Sequence, residues 1–300
     1  MRKFKIILFS TLFIISTAVL ILLYSLSGRE SIDSEYAVSV FDGNIVTQQF
    51  EFSQFDKLYF LDDYDPITSF SKKTKILGAT PILKIINSDE YRVEIKANAD
   101  VFDSLKIATS DGLKDERSAL IITFSDECYI PVHTDDTSYD YDTGLYVDFD
   151  VFEVTVYAPI SSLLVDSEVI LDYQAPTCKK MFVDFSYEGT NANIYDINAE
   201  DFTLNCSGTS DIILSGKVSG ESKISIWHQT KVNANDLDTN TKDFYVSSSV
   251  LFGLSYIKYN GILHLDLLKN SFQLIVAAIL YLSPIIWLVG FISCFRKKRT

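Results

Sequence analysis

The chain has 300 residues, 40 Asp and Glu against 26 Lys and Arg, and a net charge of −14. Seven of the basic residues and none of the acids sit in the first and last five positions, so everything between carries −21. A field of that sign excludes nucleic acid and anionic lipid head groups as partners of the central surface. Residues 28–270 are enough for one sizeable domain or two small ones.

Residues 1–5, with Arg2, Lys3 and Lys5, form a basic tail, and the charge-free apolar run Ile6–Leu26 follows. Crossing a bilayer takes about 20 apolar residues as a helix, so residues 6–27 are expected to be a transmembrane helix. Ser25 and Ser27 stand at suitable −3 and −1 positions for a signal-peptide cut before Gly28. The apolar run is longer than the usual signal core of about 7–15 residues, which favours a retained anchor. Residues 28–44 (GRESIDSEYAVSVFDGN) read as a polar stalk.

Strand signals then dominate. Phe50 and Phe52, then Leu58 and Phe60, alternate with polar neighbours. In EYRVEIKA, Tyr91, Val93, Ile95 and Ala97 point one way while Arg92, Glu94 and Lys96 point the other. A period of two marks a strand with one buried face and one wet face. ILKII (82–86), ALIITF (119–124) and VFEVTVYAP are further strands, NADVFDS (98–104) is expected to be a turn, and no helix is expected between the spans.

Residues 125–150 break the pattern and read as a long exposed acidic loop. Its Asp135, Asp136, Asp140, Asp142, Asp148 and Asp150 could offer the oxygen ligands that a hard cation such as Ca²⁺ takes. The run Asp140-Tyr-Asp142-Thr-Gly144 lacks the third acidic ligand and the sixth-position Gly of an EF-hand. The plainer reading, which we favour, is a solvated loop. Tyr129, Tyr139, Tyr141 and Tyr146, with Phe149 and Phe152, give this stretch the look of a recognition surface. They are equally suited to packing the loop against the domain.

From Leu163 onward the chain repeats. Apolar trios beginning at Leu163, Met181, Phe202, Ile224 and Phe244 follow one another at 18, 21, 22 and 20 residues, with turn residues between. A period near 20 predicts an all-β ectodomain built as a β-solenoid, its stacked rungs forming interior ladders. Trp227, next to the inward Ile226, is expected to face out as a contact residue or to lie under a loop. Residues 272–295 form a second charge-free apolar segment, predicted as the second transmembrane helix, and residues 296–300 a second basic tail. The positive-inside rule then puts both termini in the cytoplasm and the acidic middle outside.

The series FDKLYF, DEYRVEIKANADVFDSLKIATSDG, FEVTVYAPISSLLVDSEV and FTLNCSGTSDIILSG resembles the bacterial head GIN domain family, labelled "putative autotransporter adhesin head" and related to adhesin and toastrack envelope domains. The resemblance spans roughly residues 50–260, within a predicted domain of residues 45–262. It implies a β-solenoid and an adhesin-like role, and it transfers no catalytic residue. Residues 62–81 and 125–150 depart from the family pattern as insertions.

No catalytic group is expected. His133, His228 and His264 have no nucleophile-elbow motif nearby and read as structural or surface histidines. No spacing of Cys and His suits a metal, and no cofactor is implied. Cys206 replaces an inward apolar residue and reads as a small buried hydrophobe, and Cys128, Cys178 and Cys206 are expected as free thiols, with a single bridge such as Cys178 to Cys206 as the alternative. With no acid or base inside either span, transport has no support. The expected function is a non-enzymatic binding or scaffold role at the bacterial cell surface, with the bilayer held through two spans and a wall ligand, surface ligand or membrane protein as partner. The alternative is an envelope-stress or signalling accessory. A carbohydrate-active β-helix enzyme ranks third.

Overall fold

The computed structural model describes residues 7, 10–17, 38–41, 43–61, 73–76, 78–110, 118–125, 130–132, 142–186, 189–247, 255–265, 283–289 and 292. The chain divides into two compact units. One comprises residues 1–32, 248–253 and 266–300. Its described residues 10–17 and 283–289 are helical, and the hydroxyls of Ser10 and Ser16 donate to the carbonyls of Ile7 and Phe13 at 2.9 and 3.0 Å. No helix among the described residues is long and apolar enough to cross a membrane. Most of the two expected spans lies outside those residues.

The other unit comprises residues 33–247 and 254–265 and is built from strands. They are β1 (Val38–Phe41), β2 (Ile45–Glu51), β3 (Lys57–Phe60), β4 (Lys73–Ile76), β5 (Ile82–Ile86), β6 (Arg92–Asn98), β7 (Leu105–Ser110), β8 (Ala119–Phe124), β9 (Ile130–Val132), β10 (Asp142–Phe149), β11 (Phe152–Tyr157), β12 (Ser162–Val165), β13 (Ile170–Gln174), β14 (Thr177–Phe185), β15 (Asn191–Cys206), β16 (Asp211–Ile226), β17 (Lys231–Val246), β18 (Tyr256–Tyr259) and β19 (Ile262–His264). One helical turn, Val101–Ser104, joins β6 to β7, where the sequence suggested only a turn and no helix. Val101 is fully buried there, so the turn is pinned by an apolar side chain.

The architecture is a curled open sheet. One path runs β2-β6-β11-β5-β13-β15-β14-β12-β3-β8-β7, and β16, β17, β18 and β19 continue it from β15. The 16-residue strands β15, β16 and β17 pair in parallel with Asn191 opposite Asp211 and Asp211 opposite Lys231, a 20-residue step. Each bends where its register slips, in β15 between Ile194 and Ile197 and again between Ala199 and Phe202. Asp196 at the first bend has φ +59, a left-handed conformation that Asp tolerates better than most residues.

Inward side chains stack from strand to strand. One ladder is Leu83, Leu171, Ala192, Ile212, Val232 and Ile257, all buried. A second is Leu120, Leu58, Leu163, Val183, Leu204, Ile224 and Phe244. Burying one such side chain contributes about 1.5–3 kcal/mol, so adjacent coils hold each other folded. The second ladder corrects the trios read from the sequence. Leu163 stacks on Val183, whereas Met181 stacks on Phe202, giving steps of 20, 21, 20 and 20 residues from Leu163 to Phe244. Alternate inward residues look alike in sequence, and only pairing distinguishes one from the next but one.

The stalk and loop readings also give way. Residues 38–41 of the expected stalk and residues 142–149 of the expected loop are strands, and so are residues 73–76 within the other apparent insertion. They join one another: β10 pairs in parallel with β1 on one side and β4 on the other, and β9 adds antiparallel to β10. Three segments that look extraneous one at a time thus make one small sheet. Its Phe41, Val147 and Phe149 are buried in the main core. Asn98, only 1% exposed, ties the junctions. Its Nδ2 donates to Gly43 O at 2.9 Å, and its Oδ1 accepts from the amides of Asp150 and Val151 at 3.0 and 3.3 Å.

Candidate binding cleft

The two ends of the open sheet converge. Gln48, Phe50, Glu51 and Phe52, on β2 and just past it, face Leu105 and Ile107 on β7 and Phe102 on the helical turn across a cleft of 290 Å³. That is the small end of ligand-pocket sizes, roughly 300–1,000 Å³. Register explains why the lining is apolar. Val46, Gln48 and Phe50 sit opposite Ala97, Ile95 and Val93, and Leu105 and Ile107 sit opposite Phe124 and Ile122. Cross-strand neighbours share a face, so both terminal strands continue the inward rows of the core. Their partners on β6 and β8 are completely buried, whereas Phe50, Phe102, Leu105 and Ile107 are half-buried and Gln48 is exposed. The rings of Phe50 and Phe102 lie 6.5 Å apart. The core is therefore open here, with a polar Gln48 in an otherwise apolar row.

The residues singled out from sequence scatter. Tyr129, His133, Asp135, Asp136, Tyr139, Asp140 and Tyr141 lie outside the described residues, as does Cys128. Asp142 and Tyr146 lie on β10, Asp148 is half-buried on the same strand, and Asp150 is exposed just after it. Among the described residues no cluster of His, Cys, Asp and Glu is arranged to hold a metal. Phe149 and Phe152 are core residues, 5.3 Å apart, with Phe152 also 6.2 Å from Phe60. For these two rings packing is the outcome. Trp227 is half-buried and leans on Tyr245 at 5.8 Å, beside β16 and β17, which branch from β15 and do not adjoin β2 or β7.

His228 does not sit on a rung. It is an exposed turn residue with φ +60 whose carbonyl accepts from the Ser255 hydroxyl. His264 packs edge-on against Phe244 at 5.1 Å, capping the last coil. Burial, then the charge of Lys242, lowers its basicity. Cys178 and Cys206 are free thiols. Burial pushes the Cys206 thiol up, against hydrogen bonds with Thr230 and Ser210 that pull it down. A thiol held protonated is a poor nucleophile. Asp184 is also raised by burial, offset by hydrogen bonds from Asn205 and Ser186.

The sequence reading missed the cleft. Its walls come from strands 55 residues apart, and only the misplaced Gln48 between Val46 and Phe50 hints at an uncovered row.

No family model matches the chain, and no curated protein matches it in sequence. The head GIN resemblance therefore rests on the residues quoted for it. Among solved structures, the chain is similar to a "putative adhesin" from Parabacteroides distasonis (16% identity, 74% of this chain and 84% of that one, TM-score 0.41). It is also similar to a "putative adhesin" from Parabacteroides merdae (12% identity, 74% and 83%, TM-score 0.42) and a "putative lipid binding protein" from P. distasonis (13% identity, 69% and 80%, TM-score 0.41). These are distant likenesses, and they carry no assignment of activity.

Proposed function

We propose that this chain is a membrane-anchored, extracellular β-solenoid protein with a non-enzymatic binding role at the bacterial cell surface, in the adhesin-like class. The observation that carries the binding role is the cleft: an open stretch of core lined by Phe50, Phe52, Phe102, Leu105 and Ile107. The solenoid reading is supported by parallel coils in 20-residue register. Support for anchoring comes from the charge-free segments with basic outer flanks. It comes also from the outward apolar side chains on the described helical residues, among them Ile14 at 64%, Ile286 at 57% and Val289 at 61% exposure. Apolar side chains this exposed, within segments that carry no charge, suit an apolar medium or partner.

Cells displaying the full chain should retain a wall or matrix ligand that cells displaying Phe102→Asp do not. Retention that is indifferent to the cleft, or turnover of a wall polysaccharide by the purified chain, would defeat this reading. Possession of two apolar flanking segments supports a second reading, an envelope-stress or signalling accessory that works through its spans. Replacing residues 6–26 and 272–295 with unrelated spans separates the two, since surface binding should survive the exchange and accessory function should not.

A further inference from the structure

We propose that the cleft is completed by a guest β-strand, an extended segment of a partner protein that is apolar at alternate positions and basic between them. The proposal rests on the binding reading above and names the ligand of the same site. The eleven-strand path starts at β2 and ends at β7. Among the described residues, β2 pairs with β6 alone and β7 with β8 alone. The same two strands line one cleft, so the sheet is a ring with a gap, and both lips of the gap are strand edges.

Burial shows what is missing. One strand inward, Val93, Ile95 and Ala97 on β6 and Ile122 and Phe124 on β8 are completely covered. At the edge, Phe50, Leu105 and Ile107 in the same inward rows are half-covered and Gln48 is open. The cover of each row is therefore lost in a single strand step. A guest strand restores it by sending every second side chain into the cleft, since successive side chains of a strand alternate between faces.

An acyl chain would meet the apolar rings but leave the edge N–H and C=O groups to water and give Gln48 no partner. A strand supplies both main-chain hydrogen bonds and alternate side chains, the combination that strand addition uses for affinity and specificity. Charge selects the guest's other face. Along the β2 lip Glu51 stands exposed at the rim and attracts Lys or Arg, whereas Lys106 is exposed on β7, so the basic positions of the guest lie against β2.

The test uses the full chain in lipid nanodiscs and three probes. One is a labelled peptide alternating Lys with Val and Phe, one has the same composition with its apolar residues in a single block, and one is dodecanoate. The alternating peptide should bind at least about tenfold more tightly than the block peptide, a difference of about 1.4 kcal/mol. It should slow amide exchange in residues 45–51 or 105–110. Glu51→Lys, a surface change, and Phe102→Asp should each weaken it about tenfold, a loss of the same size, while Tyr245→Ala on β17, which adjoins neither lip, leaves it unchanged. Equal binding of the two peptides, free exchange at both edges, or preference for dodecanoate would each overturn strand addition. Cell-surface retention that still depends on the cleft would then keep the binding role while removing its strand ligand. Retention independent of the cleft would remove both.

Discussion

Gly216 is a position where the long parallel strands leave no room for a side chain. It lies in β16 at a bend, with φ +129, a region that L side chains rarely adopt. It pairs with Ile197 of β15 on one side and Leu237 of β17 on the other. A methyl group added there would lie 2.3 Å from the Ile197 carbonyl oxygen, 2.4 Å from its nitrogen and 2.7 Å from its Cα. All three are backbone atoms, so no side-chain rotation relieves the clash and the two coils must part. The strained backbone costs about 1–3 kcal/mol. Two weakened ladder hydrogen bonds add about 0.5–1.5 kcal/mol each. Gly216→Ala should therefore lose about 2–6 kcal/mol of a stability that is typically about 5–15 kcal/mol. Gly261 is the control, because its φ of +74 is also left-handed but nothing lies within 4 Å of an added methyl. Gly261→Ala should lose only about 1–2 kcal/mol, the cost of that backbone region. Urea unfolding in a Trp287→Phe background, followed by the fluorescence of Trp227 just past β16, reads both. If Gly216→Ala costs no more than Gly261→Ala, the close backbone approach between coils is not what the register implies.

Three further outcomes follow from single residues. Asn98→Ala should destabilise by about 2–4 kcal/mol, since three part-buried hydrogen bonds are lost, at about 0.5–1.5 kcal/mol each, at the junctions with the small sheet; equilibrium unfolding measures it. Asp184 has its folded pKa raised by burial above the ordinary 3.8, so its protonated form favours the folded state. That contribution is full below 3.8 and is lost as pH rises through the higher folded value. Melting temperatures of wild type minus Asp184→Asn should fall across that window, and a flat difference would remove the burial argument. His264 runs the other way. Its folded pKa is depressed below 6.5 by burial and Lys242, so its contribution is full above 6.5 and is lost as pH falls through the lower folded value. Protection factors in β18 and β19, taken against the intrinsic exchange rate at each pH, should fall over that range in wild type and not in His264→Phe.

What could be read from the sequence follows the range of the interactions. In β6, Val93, Ile95 and Ala97 are buried as alternation predicts, because the period of two is local. Tyr91 enters that strand with φ +52 and is half-buried, so alternation stops at the turn. The repeat near 20 residues was visible because each coil must bury its face on the next, but its register was not, as Met181 shows. The small sheet was hidden because β1, β4 and β10 meet only through pairs 71 or more residues apart and the acids of β10 resemble those of a solvated loop. The cleft was hidden for the same reason. Apolar alternation marks Phe50 and Phe52 as inward and says nothing about which strand, if any, covers them.

The most direct test of the proposed anchoring is labelling of the full chain in intact cells with a membrane-impermeant maleimide. The labelled site is Asn233→Cys in a Cys128→Ser background: Asn233 is exposed on β17, while Cys206 is buried and Cys178 is half-buried, with burial pushing both thiols up. With both apolar segments held in the bilayer, Asn233→Cys reacts from outside, whereas epitope tags before Met1 and after Thr300 stay shielded from external protease until the cells are permeabilised. Labelling of Asn233→Cys only after permeabilisation, or tags cut in intact cells, would contradict an acidic coil stack held outside the membrane at both ends.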